Sequence, residues 1–269
     1  MLAHEPMTYY NDKDPKACEW LRELIRVGLI ADGVVDCRSI SEIKPDELKQ
    51  YTQCHFFAGI GGWSIALRLA GWPDSRRVWT ASCPCQPFSV GATDQAKGTG
   101  DHRDLWPSLL PLIKINEPST IFGEQVKNAI SWGWWDRAKM DFENEGYAAA
   151  AAVLRADAIG AIHERKRLYW VADSERQGRE GREPCTGVSV RKEQAYAIYG
   201  DPITKSRRAV DGDWADLQCG DGFSVQVVRD AIKGYGNAIV PQIAAEFIGA
   251  YIECAVITRE RSESGSSPC

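Results

Sequence analysis

The sequence has few histidines, no excess of positive charge and no long apolar run. Four of its 269 residues are His, and no two cysteines have the C-x2-C spacing typical of zinc sites. A C-P-C pair at residues 83–85 is weak evidence for a metal, so we expect no metal site. No apolar stretch approaches the roughly 18 residues of a membrane span, and the start of the chain lacks the basic and apolar regions of a signal peptide. These absences predict a cytoplasmic protein without a membrane partner.

Charge gives a mixed indication about nucleic acid as a partner. The net charge is −5, whereas proteins that bind phosphates usually carry a basic surface. Between Ser174 and Ala209, however, eight Lys or Arg residues stand against five Asp or Glu. On charge alone, a solvated loop is the preferred interpretation of this basic segment.

Apolar periodicity predicts alternating strands and helices before residue 174. A strand at 54–57 runs into the glycine turn AGIGGW and then a helix at 64–71, which is the opening unit of a doubly wound α/β sheet. The segment GYAAAAAVLRA is ambiguous, because alanine favours a helix whereas its place before the apolar run RLYWVAD favours a strand; we expect a strand. The other predicted elements are helices at 16–28, 105–116 and around Trp132, Trp134 and Trp135, and strands at 33–37, 78–81 and 119–126.

Composition divides the chain into five parts. The segment that begins at residue 174 is rich in Gly, Arg, Asp and Glu and poor in periodicity, as expected of an inserted module. The predicted parts are a helix–strand extension at 1–50, an α/β core at 51–173, a small module at 174–230, a closing segment whose helix returns to the core at 231–256, and a disordered tail at 257–269.

Two cysteines flank a proline in the run SCPCQPFS, which follows the predicted strand at 78–81. Nine cysteines scattered over a chain of this size are expected to be reduced thiols. Cys83 and Cys85 are compatible with a metal fragment, a buried packing pair or a nucleophile on a loop stiffened by Pro84 and Pro87. A nucleophilic cysteine needs a partly exposed position, and the strand-end loops of an α/β sheet provide one.

Five short motifs resemble those of the cytosine-carbon-5 DNA methyltransferase family, in the family's order. FAGIGG resembles the cofactor turn, PCQPFS the catalytic loop, GEQV the Glu-Asn-Val strand end, HERKR the Gln-x-Arg-x-Arg motif and GNAIVP the closing Gly-Asn motif. The motifs frame residues 51–256, and PCQPFS and GNAIVP are highly specific. The resemblance implies a Rossmann-like methyltransferase sheet with 174–230 as target-recognition module. It also implies a bacterial or phage DNA (cytosine-5-)-methyltransferase of the restriction-modification type.

The resemblance implies a role for each matching residue in the catalytic motifs. Cys85 matches the family nucleophile, which adds to carbon 6 of a cytosine flipped out of the duplex. Glu124 matches the acid that holds ring nitrogen 3 and the exocyclic amine, and Arg165 and Arg167 match the pair that positions the base. Cys83 is then expected to be a small buried neighbour.

Further residues are implied in binding the cofactor S-adenosylmethionine and the partner, double-stranded DNA. The implied cofactor contacts are Phe57, Gly59, Gly61, Trp63 and Asn237, and the implied DNA contacts are Gln86, Ser89 and Arg103.

The spacing of the motifs departs from the family pattern. Only 28 positions separate Phe57 from Cys85, so about one and a half strand–helix units, including the usual ribose-binding acid, are missing there. We expect the N-terminal helix and the GVVDC strand to fill the vacated place, with Asp36 contacting the ribose.

Two other interpretations stay open. One is the same fold acting on RNA or with a modified sulfonium donor, and the other is a DNA-binding relative that no longer methylates. The truncated cofactor region favours the last of these, and the presence of Cys85, Glu124, Arg165 and Asn237 argues against it.

Overall fold

A mixed sheet of seven strands organises the part of the chain that the structure describes. The structure is a computed structural model that describes residues 7–84, 104–159, 165–174 and 239–263. Its strands are β1 (Thr8–Asn11), β2 (Gly33–Asp36), β3 (Gln53–Phe56), β4 (Val78–Ala81), β5 (Thr120–Val126), β6 (Ala148–Arg155) and β7 (Lys166–Asp173). The order is β2-β1-β3-β4-β5-β7-β6, with β7 antiparallel to both of its neighbours. The doubly wound α/β class predicted from the sequence is confirmed, as is a strand at the alanine-rich segment.

Helices cover both faces of this sheet. They are α1 (Pro15–Arg26), α2 (Gly62–Leu69), α3 (Trp106–Asn116), α4 (Trp134–Asn144) and α5 (Pro241–Glu263). The start of α1 shows why the chain turns helical there: Asp14 accepts a hydrogen bond from the Lys16 amide, and Pro15 occupies the first helical turn, where no amide donor is needed. No helix in the described part of the chain is long and apolar enough to cross a membrane.

Alternating side chains along the strands build two apolar layers. On one face Cys54, Phe56 and Trp79 belong to a buried cluster with Trp106 of α3 and Trp134 of α4. The other face carries a second cluster, in which α2 and α5 contribute Trp63, Leu67, Ile243, Ala244 and Ile248. The sheet therefore forms the middle of three layers, and its strand ends remain at the rim of the core.

Strands β1 and β2 occupy the positions beside β3 that were expected to be vacated. β1 is parallel to β2 on one edge and to β3 on the other. β1 was not predicted from the sequence, because its four residues, TYYN, are too few for a clear periodic pattern. Both strands come from the N-terminal segment, so the sheet is completed by residues that precede the glycine turn in the chain.

Two expectations from the sequence need correction. Helix α5 continues to Glu263, so the tail predicted to be disordered from residue 257 is helical over its first seven residues. Cys18 of α1 and Cys37, just after β2, form a disulfide with Cα atoms 6.2 Å apart, so the expectation of reduced thiols fails at this pair. The packing of α1 beside β2 brings these two residues together across a sequence separation of 19. The predicted module at 174–230 lies almost entirely outside the described residues.

The close packing of β5 against β7 generates a stability prediction. A Cβ atom built on Gly123 would lie 2.0 Å from Trp170 and 2.4 Å from the carbonyl oxygen of Ala81. We expect Gly123→Ala to lower the free energy of unfolding by about 1–3 kcal/mol or more, because strand and indole must move apart. Gly249→Ala is the matched control, because a Cβ at this position of α5 meets nothing within 4 Å. This substitution should stabilise the helix by about 0.5–1 kcal/mol. Urea unfolding measures both, and equal stabilities would contradict the prediction.

Candidate functional site

The register of the sheet brings two predicted site residues, Phe57 and Glu124, to one edge together with two that were not predicted. Asn11 pairs with Phe56, Phe56 with Ala81, and Ala81 with Gly123. The residues that follow these positions are Asp12, Phe57, Ser82 and Glu124. Strand ends of an open α/β sheet are where such folds bind ligands, so this edge is the candidate site.

The turn between β3 and α2 is wound through left-handed backbone conformations. Phe57, Gly59 and Gly61 have φ values of 54°, 55° and 78°. A Cβ at Gly61 would also approach Leu24 of α1 to 3.1 Å, whereas a Cβ at Gly59 would meet only the Phe57 carbonyl oxygen, at 4.0 Å. Gly59 thus leaves an open approach to the backbone, and its neighbours set the start of α2.

A carboxylate at the end of β1 holds this glycine turn. Oδ2 of Asp12 accepts a hydrogen bond of 2.8 Å from the Gly59 amide, and the Asn11 carbonyl oxygen accepts one of 2.9 Å from the Ala58 amide. The other carboxylate oxygen of Asp12 accepts from the Asp14 amide at 2.9 Å. Asp12 was not predicted as a site residue; the signal for it would have been an acid shortly before the capped start of α1.

Asp36 lies one strand farther from the turn, and neighbouring side chains already bind its carboxylate. The Tyr9 hydroxyl donates to Oδ2 at 2.7 Å, and Arg38 donates to the same oxygen at 2.7 Å. Burial by itself would raise the pKa of Asp36, but the hydrogen bonds from Arg38 and Tyr9 lower it below its ordinary value. The predicted ribose contact of Asp36 stays a prediction.

Glu124 and Arg167 form a mostly buried ion pair on neighbouring strands. Nε of Arg167 lies 2.9 Å from Oε1 of Glu124, which is 8% exposed. The N–H does not point directly at this oxygen, so the contact is an ion pair without an aligned hydrogen bond. Burial raises the pKa of Glu124 above its ordinary value, and the charges of Arg167 and Arg165 offset part of that rise. The structure therefore brings two of the four predicted catalytic residues, Glu124 and Arg167, into contact, and Arg165 directly precedes β7.

The segment that leaves β4 is held from two sides. The Trp63 indole N–H donates to Oγ of Ser82 at 2.9 Å, and Nε2 of Gln125 donates to the carbonyl oxygen of Cys83 at 3.3 Å. Cys83 is 6% exposed, as expected of a buried neighbour, and burial raises the pKa of its thiol. Such a thiol is a poor nucleophile at neutral pH.

Trp63 was predicted to contact the cofactor, and the structure places its ring in the core. The indole is 3% exposed and packs against Phe122 and Tyr169. Its contacts support a packing and hydrogen-bonding role, and direct contact with a cofactor stays a prediction.

Several predicted site residues lie outside the described residues. They are Cys85, Gln86, Ser89, Arg103 and Asn237. In the described part of the chain, no three His, Cys, Asp or Glu side chains group as a metal site.

Comparison with known protein families identifies the chain. The family of C-5 cytosine-specific DNA methylases matches residues 72–210, just over half of the sequence. The chain belongs to this family.

Similarity to individual proteins is lower and partial. The Type II methyltransferase M.HgiCII of Herpetosiphon aurantiacus is 24% identical over 176 residues, which cover 49% of this chain and 39% of that protein. M.HgiBI of the same organism is 27% identical over 154 residues, covering 54% and 34%. The chain thus matches little more than a third of the length of these curated relatives.

Solved structures with partial similarity to this chain include those of two methyltransferases. A mutant of Spodoptera frugiperda DNMT2 has 15% identity and a TM-score of 0.41, covering 61% of this chain and 41% of that one. A putative DNA modification methyltransferase encoded within an Escherichia coli prophage has 13% identity and a TM-score of 0.40, covering 62% and 40%.

The buried carboxyl of Glu124 generates a prediction about pH. Because its pKa in the folded protein is raised, its contribution to stability is fully present below the ordinary value of 4.5 and is lost as pH rises through the folded pKa. Glu124→Gln removes this dependence. The free energy of unfolding of the variant, relative to that of the native protein, should therefore increase as pH rises from 4.5 to the folded pKa of Glu124. The increase is about 1.4 kcal/mol for each unit of pKa shift. Urea unfolding at a series of pH values measures it; parallel curves would contradict the raised pKa.

Proposed function

We propose that the chain transfers a methyl group from S-adenosylmethionine to carbon 5 of cytosine in double-stranded DNA, through a covalent bond to Cys85. The observation that carries this proposal is the buried Glu124–Arg167 pair, which lies at the strand edge next to the segment that leads from β4 to Cys85. Membership of the C-5 cytosine-specific DNA methylase family supports the reaction class.

The reaction needs a nucleophile, because carbon 5 of cytosine is a poor methyl acceptor. The Cys85 thiolate adds to ring carbon 6, and electron density moves to carbon 5. Carbon 5 would then accept the methyl group as the bond from that group to the sulfonium sulfur breaks, which leaves a neutral thioether. A base would remove the proton from carbon 5, and the sulfur–carbon bond to Cys85 would break to release the thiolate. Cys83 is an unsuitable nucleophile, because burial holds its thiol protonated.

Glu124 and its arginines suit the activation of the ring. A carboxyl whose pKa is raised carries a proton more readily, so Glu124 can donate a hydrogen bond to ring nitrogen 3 while its other oxygen accepts from the exocyclic amine. Arg167 and Arg165 limit the pKa rise and provide positive charge beside the base. The target base must leave the duplex stack to reach this edge, and we assign recognition of the flanking sequence to the module at 174–230.

The described residues fit the cofactor at the glycine turn. When bound, S-adenosylmethionine supplies an electrophilic methyl group. The open approach over Gly59 suits a ligand that lies against the backbone, and Phe57 and Gly61 shape the same turn. In doubly wound folds an acid that follows the strand next to such a turn binds ribose hydroxyls. The strand order makes β1 that strand, so Asp12 fits this role better than Asp36.

The nucleophile is tested by trapping on DNA that contains 5-fluorocytosine. Fluorine replaces the proton that must leave, so the adduct with Cys85 persists after methyl transfer. We expect the native protein and Cys83→Ser to form a cofactor-dependent adduct detectable by mass spectrometry, and Cys85→Ser to form none. Nucleoside mass spectrometry of ordinary DNA should show methylated deoxycytidine in the same two cases. An adduct in Cys85→Ser, or its absence in the folded native protein, would overturn the proposal; product on RNA alone would move it to an RNA substrate.

The cofactor pocket is tested by comparing two acids. We expect Asp12→Asn to weaken S-adenosylmethionine binding about tenfold or more, because a charge-assisted hydrogen bond to the ligand is lost. Asp36→Asn should change the dissociation constant by less than about threefold, because Tyr9 and Arg38 already bind its carboxylate. Isothermal titration calorimetry measures both. The reverse ranking would assign the ribose contact to Asp36.

A further inference from the structure

Two described side chains hold the short segment between β4 and Pro84. Ser82 accepts a hydrogen bond from the Trp63 indole on the α2 side, and the Cys83 carbonyl oxygen accepts one from Gln125 on the β5 side. Gln125 is fully buried, and its own side-chain oxygen accepts from the Val126 amide at 2.9 Å. The segment is therefore fixed to the elements on both of its sides just before Cys85.

The acceptor distinguishes the hydrogen bond of Trp63 from those of the other buried tryptophans. Among the buried tryptophans of the described chain, the indole N–H groups of Trp79, Trp134 and Trp170 have no hydrogen-bond partner. The indoles of Trp72 and Trp106 do donate hydrogen bonds, to the Arg76 carbonyl oxygen and to Asp141. That of Trp63 donates at 2.9 Å to Ser82, in the segment that follows β4. The contact joins a residue in the first turn of α2, directly after the glycine turn, to the segment that precedes the catalytic loop.

We propose that Trp63 is a positioning residue. Through Ser82 it fixes residues 82–84, the segment that leads to the nucleophile, relative to the cofactor turn. The inference rests on the proposed function and adds to it a structural link between the cofactor turn and the nucleophile. Ring packing against Phe122 and Tyr169 fixes the indole, so its N–H has one preferred direction. Gln125, which follows Glu124 on β5, donates to the carbonyl oxygen of the next residue, Cys83. Residues 82–84 are therefore held both from the helix that follows the cofactor turn and from the strand that carries Glu124. A displacement of the nucleophile of about 1 Å can cost roughly a hundredfold in rate, so this position matters for chemistry more than for binding.

The test removes each partner of the hydrogen bond separately and together. Trp63→Phe keeps a ring but loses the N–H, and Ser82→Ala loses the acceptor at a half-buried position where it creates little cavity. Trp72→Phe is the matched control: Trp72 lies in the same cluster, and its N–H donates at 3.1 Å to the Arg76 carbonyl oxygen, away from the candidate site. The measurements are the single-turnover rate of adduct formation on 5-fluorocytosine DNA at saturating S-adenosylmethionine, the cofactor dissociation constant and the melting temperature.

We expect Trp63→Phe and Ser82→Ala each to slow adduct formation about 5- to 30-fold, with the dissociation constant unchanged within about twofold. The double variant should be no slower than the slower single variant, because both remove the same hydrogen bond. Trp72→Phe should lower the melting temperature at least as much as Ser82→Ala while keeping the native rate.

The alternative outcomes separate this inference from the proposed function. A native rate in Ser82→Ala, or fully additive effects in the double variant, would overturn the positioning role, and Ser82→Ala decides this even if Trp63→Phe does not fold. Weaker cofactor binding in Trp63→Phe with a native rate in Ser82→Ala would instead assign Trp63 a direct cofactor contact. If the folded native protein forms no adduct, the proposed function fails and the inference fails with it.

Discussion

Hydrogen bonding along both edges of β1 is the interaction on which the candidate site depends. β1 joins β2 to β3, and without it the glycine turn would end an edge strand with no acid beside it. The end of β1 makes further hydrogen bonds: the Asn11 side chain donates to the Asp36 and Arg38 carbonyl oxygens, and Asp12, directly after the strand, accepts from the Gly59 amide. A strand of four residues thus fixes the ends of both neighbours, which is why the open turn over Gly59 can keep its left-handed backbone.

Burial of charge at the other end of this edge gives the site its chemical character. Taking a carboxylate out of water is costly, and two arginines compensate only in part, so the proton affinity of Glu124 stays raised. Burial also leaves the Cys83 thiol protonated. Burial therefore has a different consequence at each position: Cys83, in the segment that follows β4, has an inert thiol, whereas Glu124 is in contact with Arg167 on the neighbouring strand.

The sequence predicted the strands with clear apolar patterns and the order of the motifs, but it did not predict how β1 completes the sheet. β4 was predicted at its observed bounds, since VWTA is a compact apolar run between polar turns. β1 has no such pattern, and its importance comes from pairing partners far away in sequence, which local periodicity does not report. Asp12 was missed for the same reason, and Asp36 was chosen because it ends a recognisable strand. The indole–hydroxyl contact of Trp63 depends on side-chain direction, which a motif does not specify.

The strand order has a consequence for how the chain folds. The elements β1, α1, β2, β3 and α2 all lie within residues 8–69, and β5, α4, β6 and β7 lie within residues 120–173. Each half of the sheet closes mainly short loops, which favours rapid formation from local contacts. Helix α5 is different, because it packs on α2 from across some 170 residues of chain. During synthesis the Trp63 side of the core therefore stays open to solvent until α5 arrives, and this interval is when the protein is most exposed to aggregation.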